Sequence, residues 1–236
     1  MSLLDVSIKH AGYMKNEVII RNINFSLKHG ELLGLIGPNG SGKSTIIKAI
    51  AGLLPNLHGE IIFNGQQKRY AYIPEQPVFY EELTLMEHLE LAAAAYSLTD
   101  RLFEKKTEEL LRIFKLHDVK HQLPVNFSKG MQQKTMLIIG FLINPDVFVV
   151  DEPFIGLDPR ATKNFLALLD IALKQGAGVL MSTHILDTAE KICNSFVLIS
   201  DGNLVCKGTL EDIRRTCNLP RASLFDCFDY LTGDNK

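Results

Sequence analysis

The sequence lacks any apolar run that approaches the roughly 18 residues a membrane-spanning helix needs. Its first residues, Met-Ser-Leu-Leu-Asp, also lack the charged and apolar regions of a signal peptide. We therefore expect a soluble, cytoplasmic chain. A peripheral position on a membrane protein remains compatible with this expectation.

Basic runs are missing as well. The 25 basic and 27 acidic residues are spread along the chain and give a formal net charge of −2, so nucleic acid is not the expected partner. The four cysteines show no C-x-x-C spacing, which favours free thiols in a reducing compartment over metal ligands or a disulfide framework. The length of 236 residues and the 46% apolar content suit one α/β domain with a small insert.

Hydrophobic periodicity predicts the order of elements. Alternation over Leu4–Ile8 and Ile23–Leu27 indicates an antiparallel β-layer, and the apolar run Leu32–Ile36 indicates a buried strand followed by a helix over Thr45–Leu54. Further strands are predicted over Ile61–Phe63, Tyr70–Ile73, Val147–Val150 and Gly178–Met181, with a hairpin turned at Asp201-Gly202. Helices are predicted over Met86–Tyr96, Arg101–Leu116, Lys129–Ile143 and Ala161–Lys174, and a tail helix from Ser223.

Two local patterns add detail to the predicted helices. Thr84 and Glu87 form a predicted capping box at the start of the helical region. In the tail helix Leu224, Phe228 and Leu231 share one face, which we expect to dock on the core and not on a membrane.

A glycine-rich loop follows the strand that ends at Ile36. It consists of Gly37, Pro38, Asn39, Gly40, Ser41, Gly42, Lys43, Ser44 and Thr45. The pattern G-x4-G-K-S between a strand and a helix is typical of a P-loop, whose backbone N–H groups and helix N-terminus bind phosphates. Lys43 is expected to span the β- and γ-phosphates, and the Ser44 hydroxyl to ligate Mg²⁺.

An acidic pair ends a second apolar strand, Phe148–Val150. Asp151 is expected to reach Mg²⁺ through water, and Glu152 is placed to polarise an attacking water. A solvated acidic pair at a strand end is the alternative, and the preceding P-loop disfavours it.

Three single residues carry weaker signals. Gln76, between a strand and the helical region, can reach Mg²⁺ or the water, although a lone loop glutamine is more often solvated. His184 ends a predicted strand and can donate to the γ-phosphate, although a lone histidine fits a core or capping role better. Asp158 is also a candidate N-cap of the next helix.

The order of these segments resembles the ATP-binding subunit of an ATP-binding cassette (ABC) transporter. The resemblance covers the chain from about residue 1 to the tail helix. Within Phe127-Ser128-Lys129-Gly130-Met131, Ser128 and Gly130 match the family signature Leu-Ser-Gly-Gly-Gln, whereas Lys129 and Met131 depart from it. A lysine at this position adds positive charge near the γ-phosphate or points to solvent. Asp158 matches the D-loop, His184 the switch histidine, and Tyr13 looks like the residue that stacks on adenine.

A narrower resemblance is to the Ecs-type ATP-binding proteins of low-GC Gram-positive bacteria. The matching phrases are the signature stretch, residues 80–89, residues 151–159 and Met181-Ser-Thr-His-Ile-Leu186. It suggests export or a role in protein secretion and membrane proteolysis, with the cargo set by other subunits.

The family resemblance implies an α/β P-loop NTPase core with an antiparallel β-subdomain (about residues 1–76 and 145–236) and an inserted helical subdomain (about 77–144). It also implies that two chains sandwich two ATP molecules with Mg²⁺, each signature completing the other chain's site. The chain would sit at the cytoplasmic face of the membrane on a transmembrane permease. The segment Gln76–Glu81 is the expected docking site, unless it is only a locally packed loop.

Three other functions stay open at this point. An ABC-type ATPase acting on nucleic acid or the ribosome usually carries coiled-coil inserts, paired cassettes or basic segments, which this chain lacks. A P-loop kinase or GTPase is disfavoured by the missing Asn-Lys-x-Asp motif and arginine-rich lid. An ATP-binding regulator with little turnover fits the binding residues but leaves Glu152 without a purpose.

Overall fold

The structure is a computed structural model that describes residues 2–15, 17–66 and 69–233. Within these residues nine strands form one sheet, in the order β4-β1-β2-β9-β8-β3-β7-β6-β5. The strands are β1 (Ser2–Gly12), β2 (Ile20–Lys28), β3 (Leu32–Ile36), β4 (Asn56–Phe63), β5 (Tyr70–Ile73), β6 (Val147–Asp151), β7 (Gly178–Thr183), β8 (Ser195–Ser200) and β9 (Asn203–Gly208). The helices are α1 (Lys43–Ile50), α2 (Leu85–Ala95), α3 (Asp100–Ile113), α4 (Lys129–Leu142), α5 (Pro159–Lys174), α6 (Leu186–Ile192), α7 (Leu210–Cys217) and α8 (Leu224–Thr232).

The predicted antiparallel layer is confirmed, because β1 pairs antiparallel with both β2 and β4. Burial along β2 alternates over most of its length, as expected for a strand with one face on the core. The edge strand β4 begins at Asn56, five residues before the predicted start at Ile61. Its first half, Asn-Leu-His-Gly-Glu, has no apolar alternation, and pairing with β1 alone makes it a strand.

The other half of the sheet is parallel and buried on both faces. Strands β8, β3, β7, β6 and β5 are neighbours in that order, and every residue of β3, β6 and β7 is buried. Ile36 pairs with Thr183, and Asp151 pairs with Ser182. Because parallel strands end at one edge of a sheet, this register brings together the segments that follow β3, β6 and β7.

The helical region lies between β5 and β6 and consists of α2, α3 and α4, with two short 3-10 turns between α3 and α4. The predicted capping box is confirmed: the Thr84 side chain accepts from the Glu87 N–H, and the Glu87 side chain accepts from the Thr84 N–H. One apolar cluster joins Leu89 of α2 and Phe141 of α4 to Phe165 of α5. The same cluster includes Ile73 of β5 and Phe148 of β6, so the helices pack directly on the sheet as well as on α5.

The C-terminal part follows the prediction closely. The hairpin β8–β9 turns at Asp201-Gly202, and α8 begins after its cap Ser223. Leu224 is fully buried, with Phe228 and Leu231 partly buried against the same cluster, so core docking of the tail helix is confirmed. The helices α6 and α7 were not predicted; both are short, with seven and eight residues. None of the helices in the described ranges is long and apolar enough to cross a membrane.

Candidate nucleotide-binding site

A cavity of about 460 Å³ opens at the carboxyl edge of β3, β6 and β7. The predicted phosphate loop and the first turn of α1 line one side of it. Glu152, Ile155 and His184 line the other side, together with Glu75. The sheet register thus brings the predicted P-loop, the acidic strand and the histidine to one site.

The phosphate loop carries hydrogen-bond donors suited to an anion. The Lys43 Nζ donates to the carbonyls of Gly37 at 2.8 Å and Pro38 at 3.1 Å. Burial lowers the pKa of the Lys43 ammonium, and the carboxylates of Glu152, Asp151 and Glu75 partly offset that effect. The Ser41 Oγ is buried and has no hydrogen-bond partner within the described residues. Lys43 lines the cavity, so a phosphate oxygen bound there would accept from its third Nζ donor.

Part of the loop's support comes from the far end of the chain. The Gly202 N–H, in the β8–β9 turn, donates to the Ser41 carbonyl at 3.0 Å, and the Gly202 carbonyl accepts from the Arg21 N–H at 2.7 Å. The sequence signals a turn at this position but contains no signal that the turn holds the phosphate loop.

Ser182 orients both acidic residues. Its hydroxyl donates to Asp151 Oδ1 at 2.5 Å and accepts from the Glu152 N–H at 3.0 Å, and all three residues are buried. Sequence reasoning gave no role to Ser182. The available signal was its place in the stretch Met181-Ser182-Thr183-His184, two residues before the candidate histidine.

Glu152 is the centre of a charged cluster. Its Oε1 lies 2.9 Å from His184 Nδ1 and 3.8 Å from Lys43 Nζ. His184 Nδ1 donates to this carboxylate when that nitrogen carries the ring proton. Glu152 also has φ +46°, a left-handed conformation that non-glycine residues adopt mainly where the surrounding structure enforces it.

The three predicted metal ligands face a second, adjoining cavity of about 580 Å³. Ser44, Gln76 and Asp151 all line it, and Ser44 and Glu75 line both cavities. A hydroxyl, an amide oxygen and a carboxylate are the hard oxygen donors that Mg²⁺ prefers, so the residues fit this ion. Glu75 is a further acidic residue of the site, and no motif in the sequence pointed to it.

Tyr13 lies beside the first turns of α1. Its hydroxyl is 3.4 Å from Thr45 Oγ1, and Lys48 Nζ is 5.2 Å from its ring centroid. The ring is partly exposed. It is therefore available at the edge of the loop that binds phosphate.

Comparisons with known proteins agree with this geometry. A family profile described as "ABC transporter" matches residues 20–155. The chain belongs to this family. It is 51% identical over 227 residues to the uncharacterized ABC transporter ATP-binding protein YthP of Bacillus subtilis, covering 96% of this chain and 95% of the relative. It is 44% identical over 244 residues to the ABC-type transporter ATP-binding protein EcsA of the same organism, covering 100% and 98%.

Solved structures support the same assignment. A structure described as the ATP binding subunit of an ABC transporter is 44% identical, with a TM-score of 0.92 over 98% of this chain and 100% of that one. CbiO1 of Clostridium perfringens shares the fold, with 21% identity, a TM-score of 0.71 and coverage of 93% of this chain and 96% of that one. The chain is therefore the ATP-binding subunit of an ABC transporter, an Ecs-like ATPase coupled to transport. Nothing in these matches supports the nucleic-acid alternative.

Residues 128–131, the signature stretch of this ABC subunit, line neither cavity in the part of the chain that the structure describes. Ser128 caps α4 by accepting from the Met131 N–H at 3.4 Å, and Lys129 is exposed. Asp158 caps α5 by accepting from the Ala161 N–H at 2.8 Å, so its predicted N-cap role is confirmed.

Proposed function

We propose that two copies of this chain, or this chain and a similar subunit, close around two ATP molecules, with each signature completing the other subunit's site. The observation that carries this proposal is that residues 128–131 do not line the cavity formed by the P-loop and Glu152. Exposed apolar side chains also favour it, since Ile155, which lines the cavity, and Ile185, which follows His184, are both about half exposed. A partner surface would cover them.

We assign a role to each residue of the site from its position. Lys43 and the loop N–H groups hold the β- and γ-phosphates, and Tyr13 stacks on the adenine. Glu152 orients the attacking water, while His184 and Lys43 stabilise the charge that develops on the γ-phosphate. Asp158, in the D-loop, lies at the same subunit boundary.

Mg²⁺ would be held by Ser44, Gln76 and Asp151. When bound, it neutralises phosphate charge. Ser182 keeps the Asp151 carboxylate turned toward this position through its 2.5 Å hydrogen bond.

The test uses Glu152→Gln, which retains the size of the side chain but removes its negative charge. We expect the variant to form a stable dimer with ATP and to lose about 10²-fold or more of its phosphate release. Sedimentation velocity with and without ATP and Mg²⁺ measures the first effect. Glu60→Gln, on the exposed edge strand β4, is the matched control and should behave as wild type. A Glu152→Gln protein that stays monomeric with ATP would contradict the proposal.

The membrane partner is proposed to dock at Gln76–Glu81, next to the metal-binding side of the site. Val78 is 80% exposed and Tyr80 is 62% exposed. Phe79, the other aromatic residue of the segment, is half-buried with its ring 5.4 Å from that of His88, and the Tyr80 N–H donates to His88 Nε2 at 3.0 Å. The segment is thus partly packed locally, and Val78 and Tyr80 are the side chains left for a transmembrane permease at the cytoplasmic face.

A pull-down from a detergent extract of the source cells, identified by mass spectrometry, tests this docking site. Val78→Ala with Tyr80→Ala should abolish recovery of the membrane protein. Leu102→Ala, at an exposed leucine on α3 away from the segment, should leave recovery intact. Equal recovery with all variants would show that the segment is only a packed loop.

A further inference from the structure

The signature helix α4 touches the loop that carries Glu152 at two points. Gly130 lies so close to this loop that a Cβ added to it would come within 2.6 Å of the Gly156 carbonyl oxygen. One helical turn further along α4, Lys134 Nζ donates to Asp158 Oδ2 at 2.6 Å. The spacing of four residues places both contacts on the same face of α4.

The bridge from Lys134 to Asp158 is better shielded than an ordinary surface ion pair. The Lys134 side chain is only 16% exposed, against 52% for that of Asp158. The hydrogen bond from Lys134 and the Ala161 N–H lower the pKa of Asp158 to about 2, so the carboxylate is charged at neutral pH. For comparison, Lys174 and Asp170 on α5 also lie 2.6 Å apart, but both side chains are more than half exposed.

The loop between these contacts and Glu152 is short and internally bonded. The Ile155 N–H donates to the Glu152 carbonyl, and the Leu157 N–H donates to the Phe154 carbonyl, each at 3.3 Å. The Phe154 ring packs 6.2 Å from the ring of Phe165 on α5. The two overlapping turns connect Glu152 to Leu157, the residue before Asp158.

We propose that Lys134 is a positioning residue for ATP hydrolysis: through Asp158 it joins the signature helix to the loop that holds Glu152. When the signature engages the nucleotide of the second subunit, this link sets Glu152 against the nucleotide of its own subunit. The role depends on the proposed function, since it requires the ATP-sandwiched dimer. In that dimer, the link between Lys134 and Asp158 couples the two nucleotide-binding sites.

Lys134→Met tests the link, because it removes the charge and the hydrogen bond but retains a long apolar stem. We expect kcat for phosphate release to fall about 2- to 5-fold, the range that an ion pair with one exposed partner can supply. KM for ATP should stay within about 2-fold, and the Hill coefficient should fall toward one. Lys134→Arg, which keeps the charge, should restore most of kcat. Lys174→Met removes an equally short bridge remote from the loop and should change nothing.

Asp158→Asn provides an independent variant, since its side-chain oxygen can still cap α5 while the charge is lost. If the two residues act through each other, the double variant Lys134→Met/Asp158→Asn should be no slower than the slower single variant. Additive losses, a change in KM alone, or wild-type kcat and cooperativity in Lys134→Met would each overturn the proposal. Glu152→Gln separates the two hypotheses. If it dimerises with ATP while Lys134→Met behaves as wild type, the positioning role alone is wrong; if it never dimerises, the proposed function is wrong.

Discussion

Removing the Ser182 hydroxyl should damage both stability and metal use, because this one group holds both acidic residues of the site. In Ser182→Ala the Asp151 carboxylate loses a 2.5 Å hydrogen bond, and the Glu152 N–H loses its acceptor. All three residues are buried, so water cannot easily replace the lost partner. A hydrogen bond to a charged group contributes about 1.5–3 kcal/mol, and an unsatisfied buried N–H costs about 1–3 kcal/mol.

These contributions overlap, and we expect a loss of about 3 kcal/mol in the free energy of unfolding. For a chain of this size that corresponds to a fall in Tm of roughly 6–12 °C. Because the sequence contains no tryptophan, unfolding is best followed by far-UV circular dichroism in urea and on heating. The Mg²⁺ concentration for half-maximal phosphate release should rise about 10-fold or more, since Asp151 loses the group that orients it.

Ser26→Ala is a suitable control. Ser26 donates to Asp5 Oδ1 at 2.6 Å, a bond of nearly the same length, but on the exposed face of β2. Its loss should change stability by no more than about 0.5 kcal/mol. If Ser182→Ala unfolds at the wild-type urea concentration and needs no more Mg²⁺, the view that Ser182 organises the acidic pair is wrong.

Two further predictions concern the glycine turn and the thiols. Gly202→Ala should lower Tm by several degrees and weaken the binding of a fluorescent ATP analogue, because φ is +73° and the new Cβ would lie 2.0 Å from the Ile19 carbonyl oxygen. Gly52→Ala, at φ +72° with open space around the Cβ, isolates the cost of the dihedral angle, and an equal loss of nucleotide binding there would refute the role of the turn. Burial raises the pKa of Cys193 to about 12 and that of Cys217 to about 11, so thiolate forms only far above neutral pH. The native protein should react slowly with a disulfide reagent at pH 8 and expose all four thiols in denaturant, whereas rapid native reaction would contradict this burial.

Local patterns predicted much of the fold. The strands Leu32–Ile36 and Tyr70–Ile73 have the predicted bounds, and the capping box at Thr84 and the turn at Asp201-Gly202 form as expected. Each depends on a signal contained within a few neighbouring residues. Where that signal was weak, as in the polar first half of β4, pairing with a distant strand decided the structure.

The features of the site fall into two groups: residues that motifs in the sequence predict, and contacts that only the structure shows. Residue type and spacing are enough to recognise the motifs that contain Lys43, Asp151 and Glu152. The register of the parallel strands then brings these motifs together. The contacts around these residues cannot be predicted from local patterns, because they join segments that are far apart in the sequence. The bonds of Ser182 to the acidic pair and of Lys134 to Asp158 are examples.

By itself, the sequence determined the family, the order of strands and helices, and the residues able to bind phosphate and metal, since motif chemistry and hydrophobic period are local properties. Only the tertiary structure decided how Glu152 is held between His184 and Lys43, which turn supports the phosphate loop, and how α4 is tied to the loop after β6. Those contacts join residues up to 161 positions apart, such as Ser41 and Gly202, and only the packed sheet and helices bring such residues within hydrogen-bond distance.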